Sequence, residues 1–224
     1  MRPPRMRVAL FGRSLAGFTL ANAMERAGHE VQMLSDPAEL ASFEALIIAV
    51  GDARLEATVE LLEPHVHHGL IVFHTCLSRG VQVLDPLETR GCVVAALAPF
   101  AHMRWAVTTL DELGETVVEL NITEFRGEAV ALSDAERPSF AARAYYAEML
   151  RRLHISASVD ARFLPSAEEK PMVGEDMDTE EIIAAYRGAT DPGLRRSYVE
   201  VARRLGEVDG LEELEMWALQ EESR

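Results

Sequence analysis

RVALFGRSLAG, residues 7–17, carries the reading of the fold. RVALF is a compact apolar run that stops at Gly12. From Ser14 to Arg26 the apolar residues Leu15, Phe18, Leu20, Ala21 and Met24 recur at helical spacing, and Gly28 follows as a stop. A strand that ends in glycine and opens directly into a helix is the context a dinucleotide fingerprint requires. Gly12 permits the tight turn, and Gly17 lets the helix approach the sheet closely. The helix start offers unpaired N–H groups and a positive dipole end to a pyrophosphate. Ser14 stands where the fingerprint has its second glycine; its hydroxyl can donate to a phosphate oxygen. The other reading of the segment is a tight strand–helix turn that binds nothing.

Working outward, short apolar runs alternate with helix-like segments. Val31 to Leu34 is a second strand, closed by Ser35-Asp36-Pro37. Ala45 to Val50 is a third, apolar throughout, as a strand covered on both faces should be. Leu55 to Leu62 is helical, Leu70 to His74 a fourth strand and Cys92 to Leu97 a fifth. This alternation predicts βαβ units: an α/β, doubly wound, mostly parallel Rossmann-type sheet. A helix over Leu110 to Phe125, a short strand over Ala129 to Leu132 and a helix over Glu136 to Leu153 follow. Pro165 to Asp178 reads as a loop, and Thr179 to Arg187, Pro192 to Leu205 and Leu211 to Gln220 as helices. The expected division is a dinucleotide-binding domain over 1–135 and an all-helical appendage over 136–224 that pairs two subunits. Leu211, Leu214, Trp217 and Ala218 form an apolar stripe suited to such a homodimer contact.

The 224 residues include 22 basic and 37 acidic ones, a net charge of −15, which argues against a nucleic-acid partner. It does not argue against a nucleotide, whose phosphates are held locally. No apolar run approaches a membrane span. The two cysteines, Cys76 and Cys92, are too few for a disulfide scaffold, so the expected setting is the cytoplasm with reduced thiols. His65, His67 and His68 lack an added acid or cysteine at ligand spacing, so no metal site is expected. Cys76 has no evident activating partner.

In a doubly wound sheet, ligands lie beyond the carboxyl ends of the strands. Gly12, Arg13, Ser14, Leu15 and Gly17 form the phosphate turn. Asp36 is placed for the adenosine ribose and would favour NAD; Ser35, with Arg13 as cation, would instead accommodate the 2′-phosphate of NADP. Asp36-Pro37 is also simply a turn. Val50, Gly51 and Asp52 follow the third strand. After the fourth come His74 and Thr75, with Ser78 beyond. His74 is the candidate proton donor near neutral pH, against a structural histidine bonded to a loop carbonyl. Ala98-Pro99-Phe100, with His102 beyond, is expected as a third loop on the same cleft.

These segments, RVALFGRSLAGFTLANAMERAGHEV, LIIAVGD and IVFHTCLSRGVQVLDPLETRGCVVAALAPF, resemble the uncharacterised Rossmann-like proteins related to ketopantoate reductase and 6-phosphogluconate dehydrogenase. The strand-end loop starting at His74, the Leu84-Asp85-Pro86-Leu87 segment and the stretch from Arg137 to Arg143 carry the likeness across roughly residues 6–150. It implies a nicotinamide cofactor, NAD or NADP, and a helical second domain that pairs two subunits. Ser14, Ala98 and Ala141 depart from the family pattern. The resemblance also implies a lysine in the helical domain, and the chain's single lysine, Lys170, sits in an acidic loop. Two functions follow as expectations. One is an NAD(P)-dependent oxidoreductase acting on a small carbonyl or alcohol. The other is a non-catalytic dinucleotide-binding sensor or regulatory protein.

Overall fold

The structure is a computed structural model and describes residues 5–160 and 178–223. The expected loop from Pro165 to Asp178, with Lys170, falls almost wholly outside the described residues. The strands are β1 (Arg7–Gly12), β2 (Glu30–Met33), β3 (Ala45–Ala49), β4 (Ile71–His74), β5 (Val93–Ala101), β6 (Arg104–Thr109) and β7 (Glu128–Ala131). The helices are α1 (Leu15–Ala27), α2 (Leu55–Leu62), α3 (Asp85–Thr89), α4 (Glu112–Phe125), α5 (Arg137–Asp160), α6 (Thr179–Ala185), α7 (Pro192–Asp209) and α8 (Glu212–Glu222).

All seven strands form one sheet in the order β2-β1-β3-β4-β5-β6-β7, and every neighbouring pair is parallel except β5–β6. The chain leaves β1 to one side for β2 and returns on the other side for β3. The strand order therefore reverses between β1 and β3, and the crevice of a doubly wound sheet opens there. β3, ALIIA, is buried at every position because both faces of the sheet are covered. Side chains alternate along each strand. Val8, Leu10, Ile47 and Phe73 meet α1 and α4 on one face, where Leu20, Met24, Ile122 and Phe125 pack. Ala9, Leu46, Ile48 and Val72 meet α2 and α3 on the other. Fully buried side chains such as Leu20 and Met24 contribute roughly 2 kcal/mol each from removed apolar surface.

The helical part packs on the β5–β7 end of the second face. Ala98, Phe100 and Ala106 share one apolar cluster with Ala141, Tyr145 and Met149 of α5 and Tyr198 of α7. Small side chains at Ala98, Ala106, Ala141 and Ala142 let α5 lie close to the sheet. Phe100 and Phe140 meet edge to face at 4.9 Å between centroids.

Two expectations are corrected. Ala98-Pro99-Phe100 is not a loop: β5 continues to Ala101 and pairs antiparallel with β6, which the sequence reading left unassigned. Pro99 is tolerated because the ladder is irregular there, with a register shift between Pro99 and Ala101. His102 lies in the turn that follows, before Met103 in the left-handed region at φ 57°. The stripe on α8 is likewise used within the chain. Leu214 and Ala218 are fully buried against the helical cluster, and Trp217 stands edge to face with Tyr186 at 5.2 Å.

Candidate functional site

The strand-to-helix turn is built by close approach. Gly12 has φ 101°, a left-handed value that glycine adopts freely, and a Cβ there would lie 2.9 Å from Val50 Cγ1 and closer to the Ala49 carbonyl. A Cβ on Gly17 would lie 2.8 Å from Ala49 Cα and closer still to Ala49 Cβ. The two glycines thus seat the start of α1 directly against the end of β3. Ser14 completes the seat. Its N–H donates to Ala49 O at 2.9 Å, and its hydroxyl oxygen accepts from Gly17 N at 3.1 Å as the N-cap.

An α-helix leaves its first N–H groups without intrahelical partners. Gly17 N is taken by the Ser14 hydroxyl and Phe18 N by Ser14 O, so the N–H groups of Leu15 and Ala16 point out of the helix end. The first turn of α1 holds no acid, whereas α2, α4, α6 and α8 each hold at least one. α5 and α7 share this, but Glu136 immediately precedes α5 and Asp191 caps α7, whereas α1 is capped by the uncharged Ser14, so in a chain of net charge −15 its positive dipole end is not neutralised by its own side chains. Arg13 is exposed beside it. These groups fit the pyrophosphate of a dinucleotide.

Ser35 and Asp36 are exposed beyond the end of β2. Asp36 caps a 3-10 turn, Pro37–Ser42, accepting from Ala38 N at 2.9 Å, so it is a turn residue that keeps carboxylate oxygen facing solvent. Beyond β3, Val50 is buried while Gly51 and Asp52 are partly open, and a Cβ on Gly51 would meet nothing within 4 Å. Asp52 accepts a hydrogen bond from the Ser78 hydroxyl, joining the loops after β3 and β4. Thr75 is buried, with its hydroxyl 3.5 Å from that of Ser14.

His74, expected as either a proton donor or a structural histidine bonded to a loop carbonyl, is enclosed beneath the loop after β4 and bonded to one. It is 0% exposed. Its Nε2 lies 2.9 Å from Gly80 O, so that nitrogen carries the hydrogen and donates it. Its Nδ1 is buried without a partner. Burial first, then the Arg137 charge, pushes its pKa down to about 3, with Arg79 adding to the fall. The ring is neutral and shapes the loop from inside. The same loop is held by the helical part. Asp134 accepts from Val81 N at 2.8 Å and Gln82 N at 3.1 Å. Arg137, fully buried at the start of α5, donates to Cys76 O at 3.1 Å and Thr108 Oγ1 at 2.9 Å.

Between the sheet's carboxyl edge and the helices lies a cleft of about 590 Å³. Asp52, Ser78 and Arg79 form its sheet side, and Pro138, Glu180, Ala184 and Arg187 are among its helical lining. Sequence reasoning found the sheet side and missed the helical side. Glu181 of α6 accepts a hydrogen bond from the Tyr145 hydroxyl of α5. Burial pushes its carboxyl up to about 7, and the charges of Asp178, Asp52 and Glu180 add to the rise. The Tyr145 hydroxyl is raised well above its ordinary range by burial. Cys76 donates its thiol hydrogen to Val50 O at 3.1 Å, and burial raises its pKa too, so it is no nucleophile. His67 holds backbone carbonyls at both ring nitrogens, and among the described residues no cluster could hold a metal ion.

The fold and this turn define an α/β protein of the Rossmann type with a helical part closing over its carboxyl edge. Residues 33–99 match the family model of a Rossmann-like domain, and residues 133–221 match that of a 6-phosphogluconate dehydrogenase C-terminal domain-like region. Both matches agree with the resemblance drawn from the sequence. No curated protein matches the chain. Among solved structures it is similar to arogenate dehydrogenase from Synechocystis, with 14% identity, TM-score 0.53, and 97% of this chain and 88% of that chain covered. It is also similar to Plasmodium falciparum pyrroline carboxylate reductase with NADP bound, with 11% identity, TM-score 0.55, and coverage of 96% and 94%. A third likeness is to prephenate dehydrogenase from A. aeolicus in complex with hydroxyphenyl propionate and NAD+, with 11% identity, TM-score 0.52, and coverage of 100% and 88%. At these identities the likeness is one of fold. Among the described residues no helix is long and apolar enough to cross a membrane.

Proposed function

We propose that the protein is an oxidoreductase that uses NAD or NADP and acts on a small carbonyl or alcohol substrate in the cleft between sheet and helices. The observation that carries the reading is the acid-free start of α1, seated by Gly12 and Gly17 at the point where the strand order reverses. The NADP of the reductase and the NAD+ of the dehydrogenase named above support it. A bound nicotinamide dinucleotide supplies or accepts the hydride. The N–H groups of Leu15 and Ala16, the Ser14 hydroxyl and Arg13 hold the pyrophosphate. Ser35 or Asp36 meets the adenosine ribose. Val50, Gly51, Asp52 and Thr75 border the dinucleotide beyond β3 and β4, and His74 positions that border through Gly80.

Titration of the purified chain with NAD, NADH, NADP and NADPH, read by thermal shift, tests this. A ligand that binds only the folded state raises its apparent stability by mass action. Selective stabilisation by one phosphate form supports the reading and decides between Asp36 and Ser35. No shift with any of the four at millimolar ligand overturns it.

The second reading, a dinucleotide-binding regulator without chemistry, draws on one observation: the Ser14 hydroxyl is turned back onto Gly17 N. Dinucleotide binding with no reduction of any small carbonyl tried favours it. We also infer that two copies pair through the helical part, where Met216 and Leu219 of α8 are 55% and 42% exposed. Light scattering at micromolar protein checks this, and a monomer refutes it. Two free, buried thiols suit a cytoplasmic setting.

A further inference from the structure

α6 turns one acid of its first turn inward. Glu181 is half-buried just behind the cleft wall, between the lining residue Glu180 and the core residue Ile182, and one turn before the lining residue Ala184. Its carboxyl meets the hydroxyl of Tyr145, itself 7% exposed. Charged and titratable groups face this pair from each neighbouring element. Asp52 comes from the loop after β3 and Cys76 from the loop after β4. Asp178 and Glu180 belong to the start of α6, and Tyr198 of α7 donates to Ile182 O at 2.8 Å. Arg137 faces Asp52 and Cys76, but its hydrogen bonds go to Thr108 and Cys76 O.

Among the described residues no guanidinium hydrogen-bonds Glu181. Glu181 is half-buried, and an acid drawn partly out of water without a cation is costly. A glutamine would accept the same Tyr145 hydrogen bond with no ionisable group to desolvate, so the fold alone gives no reason for an acid. Such a group beside a cleft is instead suited to proton transfer.

We propose that Glu181, held by Tyr145, is the catalytic acid–base group that exchanges a proton with the substrate oxygen, while Tyr145 is a positioning residue. This rests on the oxidoreductase reading above. In the reducing direction the Glu181 O–H bond breaks and a substrate O–H bond forms. The carbonyl π pair becomes that new bond as the hydride supplied by the reduced dinucleotide reaches carbon. The products are the alcohol, the oxidised dinucleotide and the Glu181 carboxylate, which regains its proton from water. In the other direction the carboxylate takes the alcohol proton.

Two readouts independent of turnover test the proposal on the full chain. The first is a carboxyl ¹³C NMR titration. A glutamate resonance titrating near 7 should be absent in Glu181→Gln and displaced upward in Tyr145→Phe, which loses the hydrogen bond to the ionised form. The second is the pH dependence of dinucleotide affinity, using the oxidised and reduced forms of whichever pair binds. The oxidised nicotinamide ring carries a positive charge, so a carboxylate beside it favours that form. The ratio of oxidised to reduced affinity should rise about 5-fold between pH 6 and 8, and stay flat in Glu181→Gln. A flat ratio in the unsubstituted chain, or a resonance near 7 that persists in Glu181→Gln, overturns the proposal while dinucleotide binding stands. Failure of every dinucleotide to bind the unsubstituted chain overturns the oxidoreductase reading, and this proposal with it. That outcome is distinguished because it appears before any substitution.

Discussion

Gly17→Ala should destabilise the protein, against the ordinary behaviour of a helix. In an exposed helix interior, alanine in place of glycine gains about 1 kcal/mol. Here the new methyl would stand 2.8 Å from Ala49 Cα, well inside the ~3.5–4.0 Å at which carbon atoms attract. Ala49 cannot retreat, because it is fully buried in β3, which is paired on both sides by β1 and β4. Overpacking of this kind costs roughly 1–3 kcal/mol and should outweigh the propensity gain, for a net loss of about 1–2 kcal/mol. Ala49→Gly alone loses a buried methyl and stiffens nothing, so it also destabilises, by about 1 kcal/mol. The double variant removes the nearest contact, that between the new methyl and Ala49 Cβ, while the contact with Ala49 Cα stays, and it should be more stable than the sum of the two losses by about 1 kcal/mol. Urea unfolding of the four proteins gives the cycle. A Gly17→Ala midpoint above that of the unsubstituted chain, or additivity within about 0.5 kcal/mol, would refute the close-approach argument.

Three further outcomes are expected. Asp134→Ala leaves Val81 N without its acceptor and should cost about 1–3 kcal/mol, whereas Asp134→Asn retains one acceptor and should cost less; equal urea midpoints for the two would count against the loop anchor. Ser14→Ala removes the α1 cap and should cost about 1 kcal/mol, but Ser14→Gly only a few tenths, so equal losses would mean the hydroxyl does not cap. The third concerns pH. Folded Glu181 keeps its proton up to about 7 but unfolded only to an ordinary 4.5, so its contribution to stability is lost as pH rises through that window. His74 runs the other way, staying neutral when folded down to about 3 while the unfolded ring takes a proton below 6.5, and the two trends offset between 4.5 and 6.5. Glu181→Gln should therefore gain stability over the unsubstituted chain from pH 5 to 7, by up to ~1.4 kcal/mol per pH unit. A pH-independent difference in urea stability would remove the buried-acid assignment.

The parallel half of the sheet was legible because its signals are local. ALIIA is apolar at every position because both its faces are covered, and Gly12 marks the turn because no other residue takes φ 101° cheaply. β6 was not legible. RWAVTT follows a proline and a turn at His102–Met103, and Pro99 reads as a break rather than as a residue inside an irregular strand. The pairing that rescues Pro99 is with Trp105, a partner the strand's own residues do not reveal. The site divides in the same way. The strand-to-helix turn from Gly12 to Gly17 is one contiguous segment and was legible as a turn. Glu181 was seen only as the opening of a helix, because Tyr145 is 36 residues away in sequence and Asp52 lies in another layer. His74 was rightly placed at a strand end, but its burial comes from α5 and Arg137, which no reading of the loop alone supplies.

The margins of the sheet have a consequence for how the molecule meets its own kind. β2 and β7 are four residues long, and each opens with a glutamate, Glu30 and Glu128. Glu30 accepts a hydrogen bond from Gln32 across the β2 margin, and Glu128 is tied to Arg104 at 3.1 Å on β6. An open margin invites a passing strand to add to it, and brevity and charge are the means by which proteins refuse. Extension of the sheet from molecule to molecule, the first step toward a fibre, is therefore blocked at both ends. At high concentration the chain should stay in solution while its sheet is folded, and association should proceed through its helices.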